Sequence, residues 1–152
     1  MGRIFGACLC ALVFMSGALV QGQGVAHAAE EQQSITLVSG GSGAPGSNDP
    51  LVTASLDGET FQPAVITSPH PLYSTLPGTQ WVTVDGGAYT TVRYRLPFTL
   101  PAGAVAPTLV ADVHADNYAQ VLLNGTALGT QSSDGGVANF QDPAEQFSTD
   151  NA

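Results

Sequence analysis

Basic residues are scarce in this sequence. It contains no lysine and only three arginines against twelve acidic residues, so the 152-residue chain has a formal net charge of -9. A protein that binds nucleic acid needs a stripe of positive charge to neutralise phosphates, and three arginines cannot supply one. The same shortage argues against anionic membrane surfaces. The 18 glycines and 10 prolines exclude a helical bundle and a coiled coil.

Cysteine is also rare, because the chain has only Cys8 and Cys10. Both lie near the start of an uncharged apolar run, residues 4–20, whereas the cysteine of a lipoprotein signal lies at the end of such a run. Lipidation is therefore not expected. Since no cysteine follows, the rest of the chain must be stabilised by its core alone, although small secreted domains often depend on disulfides.

The apolar run belongs to a pattern that is typical of a secretory signal peptide. Arg3 precedes the run, and an A-x-A site at residues 26–28 follows it. We predict a helical signal peptide over residues 1–28, cleaved between Ala28 and Ala29, and secretion to the extracellular space or the periplasm. The alternative is an uncleaved membrane anchor, for which the run is at the short limit. After cleavage the protein would not be an integral membrane protein, and two arginines against twelve acids would leave it at -10.

Composition divides the remaining chain into two parts. Residues 29–50 are polar and rich in glycine and serine, which predicts a flexible segment with one short strand. Residues 51–152 alternate short apolar stretches with turn residues, which predicts an all-β antiparallel sandwich or jelly roll. The strands that we predict are 35–38, 51–56, 63–67, 80–85, 90–100, 108–115, 119–124, 127–131 and 137–140.

Two stretches show the clearest strand pattern. In residues 90–100 apolar side chains occupy the even positions, as on a strand with one buried face. Pro97 has no N–H to donate, so that end should lie at an edge or a bulge. In residues 108–115 apolar residues occupy the odd positions. The dipeptide Asn124-Gly125 predicts a tight hairpin with left-handed turn residues.

Asp112, His114 and Asp116 share the polar parity of that second strand. Carboxylate and imidazole are ligands for divalent metals, so these three are candidate metal ligands. Neighbours two apart on a strand are separated by about 6.6–7 Å, so one ion could bridge two of them and hardly all three. The alternative is the polar outer face of a half-buried strand.

We expect no cofactor, although the sequence leaves a bound calcium ion as an alternative. Asn48, Asp49, Asp57 and Glu59 could supply oxygen ligands, but no Asp-x-Asp-x-Asp-Gly loop supports them. Catalytic motifs are also missing, because there is no G-x-S-x-G and no reactive cysteine. Twelve acids always allow some carboxylate pair, and nothing singles one out. We therefore expect a protein that is not an enzyme.

Three residues are candidates for binding a ligand. His70 lies between two prolines and is followed by Tyr73, which suggests a stiff loop that presents an imidazole and an aromatic ring. Trp81 is the only tryptophan, and its ring could stack on a sugar. The alternatives are an extended connector between two sheets for the first two residues and a core anchor for Trp81.

Three stretches resemble galactose-binding-like β-sandwich modules of secreted bacterial proteins. They are ITSPHPLYSTLPGTQWV (66–82), TTVRYRLPFTLPAG (90–103) and LVADVHADNYAQVLLNGTALG (109–129). Such modules carry an "F-x-L-P" strand end, an "aDn" turn and a "V-x-L-N-G" hairpin, here Tyr94 to Pro101, Asp116-Asn117 and Val121 to Gly125. The resemblance covers roughly residues 50–147.

The resemblance implies a secreted, non-catalytic module that binds glycans, in some members with a structural calcium. The alternative is a structural or accessory module of a surface or matrix protein, or an appendage of a larger secreted enzyme. In these modules further strands follow the "V-x-L-N-G" hairpin and close the sandwich. We therefore expect that the printed chain is a fragment, truncated at its carboxyl end, that lacks closing strands. The sequence predicts no oligomeric state.

Overall fold

The computed structural model describes residues 8–19, 33–68, 70–84, 91–131 and 139–151. The predicted cleavage site at Ala28 and Ala29 lies outside these residues. Strands are the main element of the described part and helix is nearly absent from it, which confirms the all-β prediction. Its strands are β1 (Cys8–Leu19), β2 (Gln33–Val38), β3 (Asn48–Ser55), β4 (Gln62–Thr67), β5 (Trp81–Thr83), β6 (Arg93–Arg95), β7 (Ala104–Asp116), β8 (Ala119–Leu123), β9 (Thr126–Gln131) and β10 (Glu145–Ser148).

The strands form two curled sheets in which every described pairing is antiparallel. The larger sheet has the order β10-β7-β1-β5-β4-β3-β6, with β2 also paired to β1. The smaller sheet is the β8–β9 hairpin. Asn124 and Gly125 turn that hairpin with φ values of 50° and 87°, which is the left-handed geometry that their sequence predicts.

The alternation of β7 creates the first core cluster. Leu109, Ala111 and Val113 are buried on one face and pack with Phe147 of β10. Apolar residues of the β8–β9 hairpin and of β2 cover this cluster, namely Ala119, Val121, Leu123, Leu128, Ile35 and Leu37. Gly129 leaves room for the Phe147 ring, since a Cβ there would lie 2.7 Å from it. The hairpin therefore lies across the apolar face of β7.

The second core cluster joins the other half of the large sheet. Val52 and Ala54 of β3, Ala64 and Ile66 of β4 and Val82 of β5 are buried together, and Tyr94 of β6 packs against them. In residues 91–99 the even positions are half-buried and the odd ones exposed, as predicted. Pairing is limited to Arg93–Arg95 at the end of the strand order, because Pro97 cannot extend a ladder.

The segment predicted as a helical signal peptide contains a strand. Cys8–Leu19 forms β1, which pairs with β7 along its whole length and with β2 along half of it. A continuous apolar run satisfies a fully buried strand as well as it satisfies a helix. Pairing on both sides gives its backbone groups the hydrogen bonds that a lone strand would lack. Within the described ranges, no helix has the length and apolar character needed to cross a bilayer.

Within the segment that composition predicts to be flexible, residues 48–50 belong to β3 and residues 39–47 form a hydrogen-bonded loop. The Gln80 side chain donates to three of its carbonyls, those of Gly40, Gly41 and Gly43, the last at 2.7 Å. Gly40 has φ +71°, and a Cβ there would lie 2.4 Å from the Cβ of Gln80. Glycine at this position therefore allows the loop to lie against Gln80.

One predicted strand is wrong over its described part, and another strand was not predicted. Asn139–Gln141, in the expected strand 137–140, is a 3-10 helix. Its backbone is tied to the loop before β5, because Ser74 donates from its N–H to the carbonyl of Phe140 at 2.7 Å. Residues 137 and 138 lie outside the described residues. Apart from β1, the strand that was not predicted is β10, whose four residues carry too short a pattern to be read from sequence.

Candidate functional site

The carboxyl end of β7 is buried on both of its faces. His114 is fully buried and Asp116 is 6% exposed, so the prediction of a polar outer face is wrong for these two residues. The even face that they share is covered by Tyr73 from the loop before β5, by Trp81 of β5 and by Phe140 of the 3-10 helix. We call these five residues the aromatic cluster.

Trp81 lies at the centre of the aromatic cluster. Its ring centroid is 4.8 Å from that of Tyr73 in an edge-to-face arrangement and 5.1 Å from that of His114. Its indole N–H donates to the carbonyl of Ser74 at 3.0 Å. Trp81 is only 1% exposed, so its face is not open to a sugar in this structure. The alternative interpretation, a core anchor, is the one that fits this burial.

A hydrogen bond connects the ring of Tyr73 to the end of β7. The Tyr73 hydroxyl donates to Oδ2 of Asp116 at 2.6 Å. Burial raises the pKa of Asp116, and the hydrogen bond from Tyr73 opposes that rise. The pair therefore fixes the Tyr73 ring while it partly stabilises a buried carboxylate.

The aromatic cluster reaches solvent beside Tyr73. The His70 ring lies 6.4 Å from the ring of Tyr73, and its Nδ1 accepts the backbone N–H of Leu72 at 3.3 Å. A neutral imidazole whose Nδ1 accepts a hydrogen bond carries its proton on Nε2. Tyr118, two residues beyond Asp116, is 68% exposed. We give the name rim patch to His70, Tyr73 and Tyr118, which are related through Asp116: Tyr73 bonds to Asp116, His70 lies beside Tyr73, and Tyr118 follows Asp116 by two residues.

The Tyr73–Asp116 pair gives a prediction about pH. We expect Tyr73→Phe to lower the free energy of unfolding at pH 7 by about 1.5–3 kcal/mol, because a buried carboxylate loses its donor. A raised pKa means that ionisation of Asp116 opposes folding, so stability falls as pH rises above the unfolded value of about 3.9. Without the Tyr73 donor the folded-state pKa of Asp116 rises further, so the fall continues to higher pH and becomes larger. Urea unfolding between pH 4 and pH 8 measures both effects.

Asp116→Asn is the matched control for that experiment. Its amide oxygen still accepts from Tyr73, but it carries no charge, so the fall in stability with pH that belongs to this residue should vanish. Adding Tyr73→Phe to Asp116→Asn should then cost less than Tyr73→Phe alone. Equal costs in the two backgrounds, or a pH profile that Asp116→Asn leaves unchanged, would contradict the assigned role of the pair.

The candidate metal ligands do not form one ligand set. Asp112 accepts a hydrogen bond from the Gln146 side chain of β10 at 2.9 Å, whereas Asp116 bonds to Tyr73 and His114 packs against Trp81. Across the described ranges, no three His, Cys, Asp or Glu side chains are grouped so that they could hold an ion. The strand spacing and these separate partners explain why the three stay apart.

Two of the carboxylates that left calcium open, Asp49 and Asp57, bind backbone amides. Asp49 accepts from the N–H groups of Gly40, Leu51 and Val52. Asp57 accepts from Glu59 and Thr60, each at 2.8 Å, and from the Ser55 hydroxyl. These bonds hold the pKa of Asp57 well below its usual range, the amide of Thr60 having the largest effect. Both carboxylates therefore brace turns.

Sequence reasoning named Tyr73, Trp81, His114 and Asp116 separately, and the structure brings them together. It did not identify Phe140, whose ring is 4.6 Å from that of Tyr73, because the surrounding residues predicted a strand. Comparison of the chain with protein-family models, with curated proteins and with solved structures found no match. The galactose-binding-like resemblance therefore remains a prediction.

Proposed function

We propose that this chain is a secreted, non-catalytic β-sandwich module of galactose-binding-like type that binds neutral carbohydrate at the rim patch. The all-β antiparallel architecture and the β8–β9 hairpin across the apolar face of β7 support the sandwich. The net charge of -9 favours a neutral ligand, because an acidic glycan would be repelled.

One observation carries the proposal more than any other. Tyr118 is 68% exposed and follows Asp116, the residue that fixes the half-buried Tyr73 ring beside His70. An exposed aromatic face can cover the C–H face of a sugar, and the Nε2–H of His70 can donate to a ring hydroxyl. Trp81 packs against Tyr73, and Asp116 accepts a hydrogen bond that positions the Tyr73 ring.

Affinity electrophoresis through gels that contain neutral polysaccharides tests this proposal. The wild-type chain should be retarded, and Tyr118→Ala should weaken binding about tenfold through the loss of ring stacking. His70→Ala should weaken it as well. Leu56→Ala is the matched control, because Leu56 is 49% exposed in the turn after β3. Native mobility of the wild-type chain in every gel, with its strand signal intact, would overturn carbohydrate binding.

A second candidate function is a structural or accessory module without a small ligand. The observation that favours it is the use of site side chains within the fold, since Trp81, Tyr73 and Asp116 bond to or pack against one another. Such a module would migrate with the same mobility in every gel that contains a neutral polysaccharide. Tyr118→Ala would change neither its mobility nor its stability.

A further inference from the structure

The place that β1 occupies in the large sheet is a groove one strand wide. On one side, eleven Cα pairs join β1 to β7, from Cys8↔Asp116 to Leu19↔Ala104. On the other side, six pairs join it to β2, and Leu9 pairs with Val82 of β5. Strand β1 runs antiparallel to each of these neighbours. Among the described pairings, it alone connects β10–β7 to β5–β4–β3–β6.

The segment that fills this groove is the one that the sequence marks for removal. If cleavage follows Ala28, the mature protein lacks β1. Backbone N–H and C=O groups along β7 and β2 would then face an open slot, and unpaired strand edges are templates for another extended chain. The two sides of the slot, β2 and β7, also contact each other without β1. Ile35 and Leu37 of β2 pack against the cluster around Leu109 of β7.

We propose that this groove, once residues 1–28 are removed, is a binding site for a donor strand from a partner protein. The strand runs antiparallel to β2 and β7, so the site recognises an extended peptide by main-chain hydrogen bonds. The inference rests on cleavage of the signal peptide, which the proposed secretion also requires, and its test measures no carbohydrate binding. A folded, uncleaved precursor keeps the site closed with its own β1.

The walls define the chemistry of the donor strand. Positions in register with Leu109, Ala111 and Val113 require apolar side chains, because those residues belong to the first core cluster. Proline is excluded from the middle, where both neighbours need N–H groups. Acidic residues are disfavoured beside Asp112 and Asp116. Cys8–Leu19 meets these terms, since it has no charge and no proline, and its first nine pairs with β7 are unbroken.

Strand exchange in the full chain tests the groove. A protease site inserted between Gln23 and Gly24, outside both strands, allows the purified chain to be cut while it is folded. The released segment should stay bound through size-exclusion chromatography. Excess fluorescein-labelled peptide of residues 8–19, carrying a lysine tail for solubility, should then replace it with saturable binding, under reducing conditions that keep Cys8 and Cys10 free.

Two variant peptides test whether the exchange depends on the strand hydrogen bonds. Val13→Pro places proline opposite Ala111 in the middle of the ladder and should bind at least about tenfold more weakly, because amide bonds are lost and partners are left unpaired. Cys8→Pro places proline at the first strand residue, where it is tolerated, and should bind like the parent peptide. Equal binding of both variants would overturn the proposal.

The remaining outcomes also decide the question. If the cut segment leaves and the rest neither binds the labelled peptide nor regains its strand signal with it, the groove is not a donor-strand site. If the emptied chain forms a dimer that excess peptide does not dissociate, the occupant is a second copy and the proposed partner strand is overturned. Saturable exchange by a monomer, with the expected order of the three peptides, supports the site.

Discussion

Asp49→Ala is expected to lower the free energy of unfolding by about 3–5 kcal/mol, because each buried amide that loses its acceptor costs roughly 1–3 kcal/mol. Asp49 is 3% exposed. Its Oδ2 accepts from Gly40, and its Oδ1 accepts from Leu51 and Val52 at 2.7 and 2.8 Å. One carboxylate thus joins the glycine-rich loop to the start of β3, and alanine would leave all three donors without it.

Urea unfolding, followed by far-ultraviolet circular dichroism, measures this loss. Asp49→Asn should fall between wild type and alanine, because its amide oxygen can serve two of the donors while its NH2 group faces the third. Asp57→Ala is the matched control. Asp57 braces a turn with the same kind of bonds, but it is exposed, so water can replace its oxygen and the loss should be much smaller. Equal losses at the two positions would contradict the role of burial.

Trp81→Ala is expected to cost about 3–5 kcal/mol, the range for removal of a large buried aromatic side chain. The indole fills the centre of the aromatic cluster, with Tyr73 at 4.8 Å and His114 at 5.1 Å. It also satisfies the carbonyl of Ser74, which would lose its donor. The cavity would therefore lie directly against Tyr73.

Circular dichroism is the measurement for Trp81→Ala, because the variant loses the only tryptophan and with it the fluorescence signal. Tyr118→Ala is the control, since an exposed side chain outside the core should change stability by less than about 0.5 kcal/mol. Loss of carbohydrate retention in Trp81→Ala would follow from unfolding, whereas the same loss in Tyr118→Ala would not. A Trp81→Ala chain as stable as wild type would contradict the anchor role.

Local sequence patterns predicted the parts of this fold that depend on neighbouring residues. Alternation along β7 identified its apolar face, and Asn124-Gly125 identified the hairpin turn, because both signals are complete within a few residues. The partners of β1 were not predictable in the same way. Whether an apolar run becomes a helix or a strand depends on residues about a hundred positions away, which carry no local signal.

The candidate site was predicted by residue type but not by environment. Tyr73, Trp81, His114 and Asp116 do meet, yet polar parity on β7 suggested exposure where the structure has burial. Covering of that face by Tyr73 and Phe140 arises from loops that are distant in sequence, so no alternation pattern could reveal it. Asp49 and Asp57, which suggested calcium by composition, bind backbone amides that lie mostly two or three residues further along the chain.

The pairing of β1 with β7 also fixes an order of events during synthesis. The two strands are joined by residues 85 to 108 positions apart in the chain. At roughly 5–20 residues per second, a ribosome needs about 5–20 s after making the first strand to complete the second. Throughout that interval the amino-terminal segment has no β7 to pair with, and the proposed export would have to begin within it.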